Sequence, residues 1–239
     1  MATAWTTTTN TKASTTDPWT PITNTKTSTT DSWRVEHKTA AKSPLFRFIS
    51  TWTTTGSSET ITLPLVDDGN PIDFTVDWGD GSSVGTVTAY DDSDRAHTYA
   101  SAGTYTVTIE GVINSFQFDD GGDDTKLTTI TQWGSFGIAN DSVFQGCTNL
   151  DITASDAPTI STTDLSYVFE DCRSLTSIGS VEDWNTSSVT DVSYMFREAR
   201  VFNQDIDDLD VSSVTNMYLM FYNADAFNQD ISSWDVSSV

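Results

Sequence analysis

The segment VFNQDIDDLDVSSVTNM occupies residues 201–217, and a near-copy, AFNQDISSWDVSSV, occupies residues 226–239. The two copies start 25 residues apart. A unit of this length cannot bury its apolar side chains alone, so repeated units stack and share a core. The pattern therefore predicts a solenoid with about 25 residues per repeat. The recurring phenylalanines of the predicted repeats are Phe144, Phe169, Phe196 and Phe221.

A second set of positions recurs in step with the phenylalanines. Tryptophan or leucine occupies one of them, at Trp184, Leu209 and Trp234. Three residues after the repeat phenylalanine, two repeats hold Cys147 and Cys172, and the next two hold alanine. Because cysteine and alanine exchange at this position, both cysteines are predicted to be packed thiols. Stacking of neighbouring repeats would also allow a disulfide between them.

The motifs FNQDIxxW and DVSSVTNMxxMF resemble those of the BspA-like leucine-rich-repeat surface proteins, also known as a domain of unknown function in mycoplasma lipoproteins. The resemblance covers about residues 125–239 and is strongest over residues 165–239. It implies a surface-exposed domain that adheres to a protein or a glycan without catalysing a reaction. Residues 125–164 depart from the family pattern, and we expect them to form a degenerate capping repeat.

Residues 44–114 carry a different pattern, in which short segments of alternating apolar and polar residues lie between Gly, Asn and Asp turns. This pattern predicts the antiparallel strands of a β-sandwich. Three motifs resemble the PKD domain family over about residues 45–113: WGDG at 78–81, HxY at 97–99 and GxYxV at 103–107. The resemblance implies an immunoglobulin-like sandwich that serves as a spacer or interaction module.

The WGDG motif has two interpretations. In the first, Trp78 fills the core and Asp80-Gly81 forms a tight turn. In the second, Asp77 and Asp80 act together in acid–base chemistry or hold calcium. The first interpretation is favoured, and no catalytic residue is predicted, because no nucleophile with a base and an orienting acid can be assembled from the sequence.

Residues 1–43 form a low-complexity arm with tryptophans 14 residues apart, at Trp5, Trp19 and Trp33. About the first 33 residues of the arm loosely resemble N-terminal segments of tailed-phage structural proteins. One interpretation is a disordered tail. We favour an extended anchoring peptide whose tryptophans fill pockets of another virion or surface protein. Residues 1–50 are basic whereas the rest of the chain is strongly acidic, so the arm and the body are expected to have different partners.

The charge of the chain, its apolar runs and its first residues limit the partners and locations that we expect. Asp and Glu number 34 against 11 Lys and Arg, a net charge of −23 over 239 residues. Such a surface repels phosphate backbones, so nucleic-acid binding is not expected. Membrane insertion is not expected either, because no apolar run is long enough to cross a bilayer. The start of the sequence lacks a secretory signal, which favours a virus protein released by lysis.

The predicted binding surface is a ladder of polar side chains that recurs in two repeats. Asn203 and Asp205 reappear as Asn228 and Asp230. Stacked carboxylates repel each other, and a calcium ion at Asp205 and Asp230 would relieve the repulsion. The alternative is that these side chains cap turns through bonds to nearby backbone. No other metal and no other cofactor is predicted.

These patterns predict a mainly β protein with an extended arm at 1–43, a sandwich at 44–114 and a repeat solenoid at 115–239. Val239 interrupts a repeat, so the solenoid is expected to be truncated at its C-terminal end. We predict a non-enzymatic structural and adhesive protein, a fibre or decoration protein of a tailed-phage virion. Its arm would dock on the particle, and its acidic repeats would contact a protein or glycan of a host or neighbouring surface. The alternatives are a bacterial cell-surface adhesin and the accessory modules of a larger glycan-degrading enzyme.

Overall fold

The computed structural model describes residues 46–69, 71–114 and 116–239. Their regular structure is mainly β, as predicted, with single turns of 3-10 helix at Ser93–Arg95, Asp124–Lys126 and Val181–Asp183. The strands, numbered in chain order, are β1 (Arg47–Thr54), β2 (Glu59–Thr62), β3 (Asp73–Asp77), β4 (Gly85–Val87), β5 (Ala96–Tyr99), β6 (Gly103–Val112), β7 (Leu127–Gln132), β8 (Gly137–Ile138), β9 (Asp151–Ile152) and β10 (Thr159–Ile160).

The largest sheet has six strands in the order β4-β3-β6-β1-β7-β9. Strand β1 alternates half-buried and buried residues along its whole length, and Phe48 and Trp52 lie on its buried side. A strand with this alternation covers a core with one of its faces. Strands β2 and β5 form a separate antiparallel pair, in which Ile61 and Tyr99 join the same buried cluster.

Strand β1 has hydrogen-bonded neighbours on both sides. It pairs antiparallel with β6 from Arg47↔Glu110 to Thr54↔Gly103, and antiparallel with β7 from Ile49↔Gln132 to Trp52↔Leu127. Strand β7 pairs in turn with β9 in parallel, and a further parallel bridge joins Ile152 to Ile178. The strands on either side of residue 114 therefore share one sheet and one hydrophobic cluster.

Beyond β7 the repeats lie against one another in parallel register. The backbone amides of Phe144, Phe169 and Phe196 each donate to a carbonyl of the next repeat, all at 3.0 Å. Their rings stack on one another with centroids 5.7–5.8 Å apart, and Phe221 continues the stack. Rings at this separation and nearly parallel make favourable dispersion contacts along the column.

Each repeat bends at two residues with left-handed backbone. The first bend lies two residues before the repeat phenylalanine, at Tyr167 with φ 61° and Tyr194 with φ 60°. The second lies two residues after it, at Asp171 with φ 59° and Glu198 with φ 61°. L-residues rarely adopt this region, so its recurrence at equivalent positions shows that the repeats share one backbone path.

Both cysteines are free and fully buried, as predicted. Ala199 and Ala224 occupy the equivalent buried position in the following repeats. The Cys172 thiol donates to the Phe144 carbonyl oxygen at 3.2 Å. Burial raises the pKa of both thiols well above the ordinary value, which keeps them protonated and unreactive in the folded chain.

Candidate functional site

The three motifs of residues 78–107 meet in one cluster. Trp78 is 3% exposed and stacks on His97 with ring centroids 5.4 Å apart. His97 Nε2 lies 2.7 Å from Asp80 Oδ2, and the Tyr99 hydroxyl donates to the Trp78 carbonyl oxygen at 2.9 Å. Hydrogen bonds from Ser82 and His97 lower the pKa of Asp80 to about 2. Trp78 fills the core, as predicted, and the polar groups tie its turn to strand β5.

The predicted ladder of Asn203, Asp205, Asn228 and Asp230 is exposed. Asn203 Oδ1 accepts from the backbone amide of Asn228 at 2.8 Å, which links two repeats. Asp205 accepts from the amide of Asp207 at 3.1 Å, and Asp230 accepts from the amide of Ser232 at 3.0 Å. Each carboxylate thus has a local backbone partner, which is the geometry of the turn-capping alternative.

The described residues bear on the predicted calcium site. Among the described residues, no group of three or more His, Cys, Asp or Glu side chains is arranged to hold a metal ion. The calcium site at Asp205 and Asp230 therefore stays a prediction without support from a ligand cluster.

Within the part of the chain that the structure describes, no helix has the length and hydropathy needed to cross a bilayer. The predicted anchors Trp5, Trp19 and Trp33 lie outside the described residues.

A polar groove crosses successive repeats and was not predicted from the sequence. Its volume is about 520 Å³. Equivalent positions of consecutive repeats supply most of its lining, because each position after the repeat phenylalanine lies beside its counterpart in the next repeat. We name this feature the Arg/Tyr groove; it is lined by Asp120, Gln145, Tyr167, Glu170, Asp171, Arg173, Arg197, Glu198 and Arg200.

The floor of the Arg/Tyr groove is a hydrogen-bonded chain at the position just after the repeat phenylalanine. Glu170 is 5% exposed and accepts from both Gln145 and Arg197, its counterparts in the two flanking repeats. Burial by itself lowers the pKa of Arg197, but the bond to Glu170 and its charge outweigh burial and raise it. A buried carboxylate with two such partners is held in one orientation.

Two further arginines lie along the groove, each paired within its own repeat. Arg173 Nε lies 2.6 Å from Asp171, and Arg200 Nη2 lies 2.7 Å from Glu198. The arginine side chains are 53% and 50% exposed. Hydrogen bonds from Asn223 and from Arg200 lower the pKa of Glu198, so that carboxylate stays charged.

Tyr167, which lines the groove, is the first of a row of contacting tyrosines. Tyr167 and Tyr194 stack with ring centroids 4.6 Å apart, and Tyr218 meets Tyr194 edge-on at 5.4 Å. The Arg197 guanidinium lies 5.7 Å from the Tyr194 ring centroid and 5.8 Å from that of Tyr222. Cation–π contacts of this kind help to fix the arginine. The groove is therefore preorganised, with charged groups next to aromatic rings.

The sequence does contain a signal for the groove. Arg173, Arg197 and Arg200 are the only basic residues between 127 and 239, and all three fall one or four residues after a repeat phenylalanine. Residues at equivalent repeat positions come close together when repeats stack. Basic residues restricted to such positions in an otherwise acidic array therefore indicate a shared location.

The fold and groove define a mainly β protein built in part from stacked repeats. A family model described as "Mycoplasma protein of unknown function, DUF285" matches residues 138–239. Over that range the chain is similar to the family, and the range includes every groove residue except Asp120. No curated protein and no solved structure matches the chain. The function of the groove must therefore be argued from its geometry.

Proposed function

We propose that the chain is a non-enzymatic structural and adhesive protein that attaches to a surface through its repeats. The observation that carries the proposal is the Arg/Tyr groove, which crosses three consecutive repeats. Its floor is fixed by the contacts of Glu170 and Arg197, whereas Arg173 and Arg200 are half exposed at its edge. Ordered polar groups beside aromatic rings are typical of binding sites, because little entropy is lost when a ligand is held.

The arrangement of the described residues supports a division of roles. Phenylalanine stacking and bonds between repeats support a solenoid like that of the BspA-like leucine-rich-repeat proteins. The cluster of Trp78, Asp80 and His97, with strands β1–β6, supports an immunoglobulin-like spacer of the PKD type. The solenoid would contact a host or neighbouring surface, and the spacer would set its distance from the anchoring arm.

Residues 1–43 are proposed to hold the protein on a tailed-phage particle as a fibre or decoration protein. The support is compositional, since the arm carries evenly spaced tryptophans and a basic excess that the body lacks. Many copies on one particle would turn weak contacts of single grooves into firm attachment.

The second candidate is a cell-surface adhesin of a bacterium. The specific observation in its favour is the match of residues 138–239 to a family described as a Mycoplasma protein. In that case the arm would contact another protein of the cell surface, and the repeats would face outward in the same way.

Gold-labelled antibodies against the full chain would test the location. We expect label on the outside of intact tailed particles from the source culture. Label on the envelope of intact cells, without label on particles, would establish the second candidate instead. Label that appears only inside lysed cells would contradict both candidates.

Substitutions in the full chain would test the role of the arm. We expect the triple variant Trp5→Ala, Trp19→Ala and Trp33→Ala to remain soluble but to stop sedimenting with the particle. The matched control is Thr6→Ala with Thr20→Ala, which changes neighbouring residues and should sediment normally. Normal incorporation of the tryptophan variant would show that the arm is not anchored by these side chains.

A further inference from the structure

The charges of the Arg/Tyr groove are nearly balanced, unlike those of the rest of the protein. Four carboxylates, those of Asp120, Glu170, Asp171 and Glu198, meet three guanidinium groups there, whereas the whole chain has a net charge of −23. A polyanion would meet the four carboxylates and a polycation the three guanidinium groups. The groove therefore offers no continuous surface of opposite charge to a polyanion or to a polycation. A neutral ligand incurs no such repulsion.

Donors and acceptors alternate along the groove at short range. Asp171 binds Arg173 through Nε and Nη2, and Glu198 binds Arg200 through the same two nitrogens. A guanidinium has five N–H donors, so each arginine keeps donors for a further partner beside a carboxylate that can still accept. A hydroxyl group donates one hydrogen bond and accepts others, so it matches a donor adjacent to an acceptor.

One side chain of the groove lining is an aromatic ring. Tyr167 lines the groove and is covered on one side by Tyr194, whose ring is inclined by only 8°. The equivalent position in the preceding repeat holds Ser142, so the stack of tyrosine rings begins at Tyr167. Tyr167 is half-buried, and the accessible part of an aromatic ring packs well against the C–H groups of a ring that carries its hydroxyls at the edge.

We propose that the Arg/Tyr groove binds a neutral glycan, with a sugar ring on Tyr167 and its hydroxyls bridging the arginine–carboxylate pairs. This inference rests on the proposed adhesive function and names its ligand class. The groove volume of about 520 Å³ suits a short run of sugar rings. The groove crosses three repeats, so a glycan would lie across them.

The test is binding of the full chain to immobilised oligosaccharides. The probes are neutral glucose, mannose, galactose and N-acetylglucosamine oligomers, with sulfated and uronic-acid oligomers and polylysine as charged comparisons. We expect binding to at least one neutral series, with an affinity that changes less than about twofold up to about 1 M NaCl, because screening does not weaken uncharged contacts.

Two pairs of matched variants locate the site. Arg173→Ala with Arg200→Ala is expected to weaken binding to the neutral probe at least tenfold, whereas Arg95→Ala, outside the groove, leaves it unchanged. Tyr167→Ala is expected to have a similar effect, and the control is Tyr90→Ala, at an exposed tyrosine outside the groove. Circular dichroism verifies the fold of each variant. If Tyr167→Ala does not fold, the double variant Arg173→Ala with Arg200→Ala still tests the site.

Three results would overturn the inference. One is binding confined to charged probes and lost at high salt, which would assign an ionic ligand. Another is neutral binding that the groove variants leave intact, which would place the site elsewhere. The third is the absence of binding to every glycan probe. Gold label on intact particles or cells would still support the adhesive function in that last case, so the two proposals fail independently.

Discussion

At the scale of single residues, Phe196 shows what holds the repeats together. Its ring is fully buried and lies between Phe169 and Phe221, with centroids 5.7 Å away on each side. Phe202 of the same repeat stacks on it at 4.3 Å. The ring therefore joins three repeats, and the energy of their association depends strongly on this one position.

We expect Phe196→Ala to lower the free energy of unfolding by about 3–5 kcal/mol, because it removes a large buried side chain and leaves a cavity between repeats. Urea denaturation followed by circular dichroism measures the change. The matched control is Phe46→Ala, because Phe46 is 64% exposed and should cost little. Equal losses in the two variants would mean that the phenylalanine column does not stabilise the fold.

Asp80 predicts a pH dependence of stability. Its pKa falls from the ordinary 3.8 to about 2 in the folded chain. A carboxyl with a lowered folded-state pKa stabilises the fold above its unfolded pKa, and that stabilisation is lost as the pH falls through the folded pKa. We expect Asp80→Asn to be less stable than the wild type at pH 7.

The difference between the two proteins should narrow between about pH 4 and pH 2 and disappear below, since both are then uncharged at this site. Urea midpoints at a series of pH values provide the measurement, and convergence at low pH is the internal control. A difference that stays constant down to pH 2 would show that the Asp80 charge is not the cause.

At the scale of elements, the turn after β7 lies directly against strand β1. Gly134 has φ 54°, and a Cβ there would lie 2.1 Å from the Arg47 carbonyl oxygen of β1. Asp156 accepts from the backbone amides of Trp133 and Gly134 at 3.0 and 2.8 Å. The turn is therefore held from both sides, and only glycine fits it.

We expect Gly134→Ala to destabilise the protein more than Gly81→Ala. Gly81 also has a positive φ of 83°, but no atom lies within 4 Å of the place where its Cβ would stand. Gly81→Ala should cost only the left-handed strain, about 1–2 kcal/mol, while Gly134→Ala must also displace β1. Urea denaturation of both variants measures the difference, and equal losses would mean that β1 yields without cost.

The sequence predicts some elements of this fold better than others. Strands β1, β3 and β6 could be predicted because their own residues alternate, and the packed cysteines because they exchange with alanine at one repeat position. The pairing of β1 with β7 could not, because Thr51 and Thr129 are far apart in the chain and no local pattern encodes their register. The groove was missed because its arginines meet only after the repeats stack.

At the scale of the whole molecule, the shared sheet predicts cooperative unfolding. Strand β1 bonds to β6 on one side and β7 on the other, and one hydrophobic cluster includes residues from Phe48 to Met220. Parts that share a sheet and a core open together.

We expect the free energy of opening, measured by hydrogen exchange, to be the same for the amides of β6 and for those of residues 165–200. Phe196→Ala should then lower protection in β6 as well as in the repeats, although it lies in a repeat. Exchange measured by mass spectrometry on peptides from both regions gives the answer, with Phe46→Ala as the control. Wild-type protection of β6 in Phe196→Ala would show that the two regions open independently.

Strand β1 also determines how the protein would carry a mechanical load. Two modules joined by a loose tether can swivel, and each aligns with the direction of a pull. Here the hydrogen bonds of β1 to β6 and to β7 would share the force, and many must break together before the junction extends. A shearing force on a ligand in the groove would therefore pass through the hydrogen bonds of β1 to β6 and through those of β6 to β3.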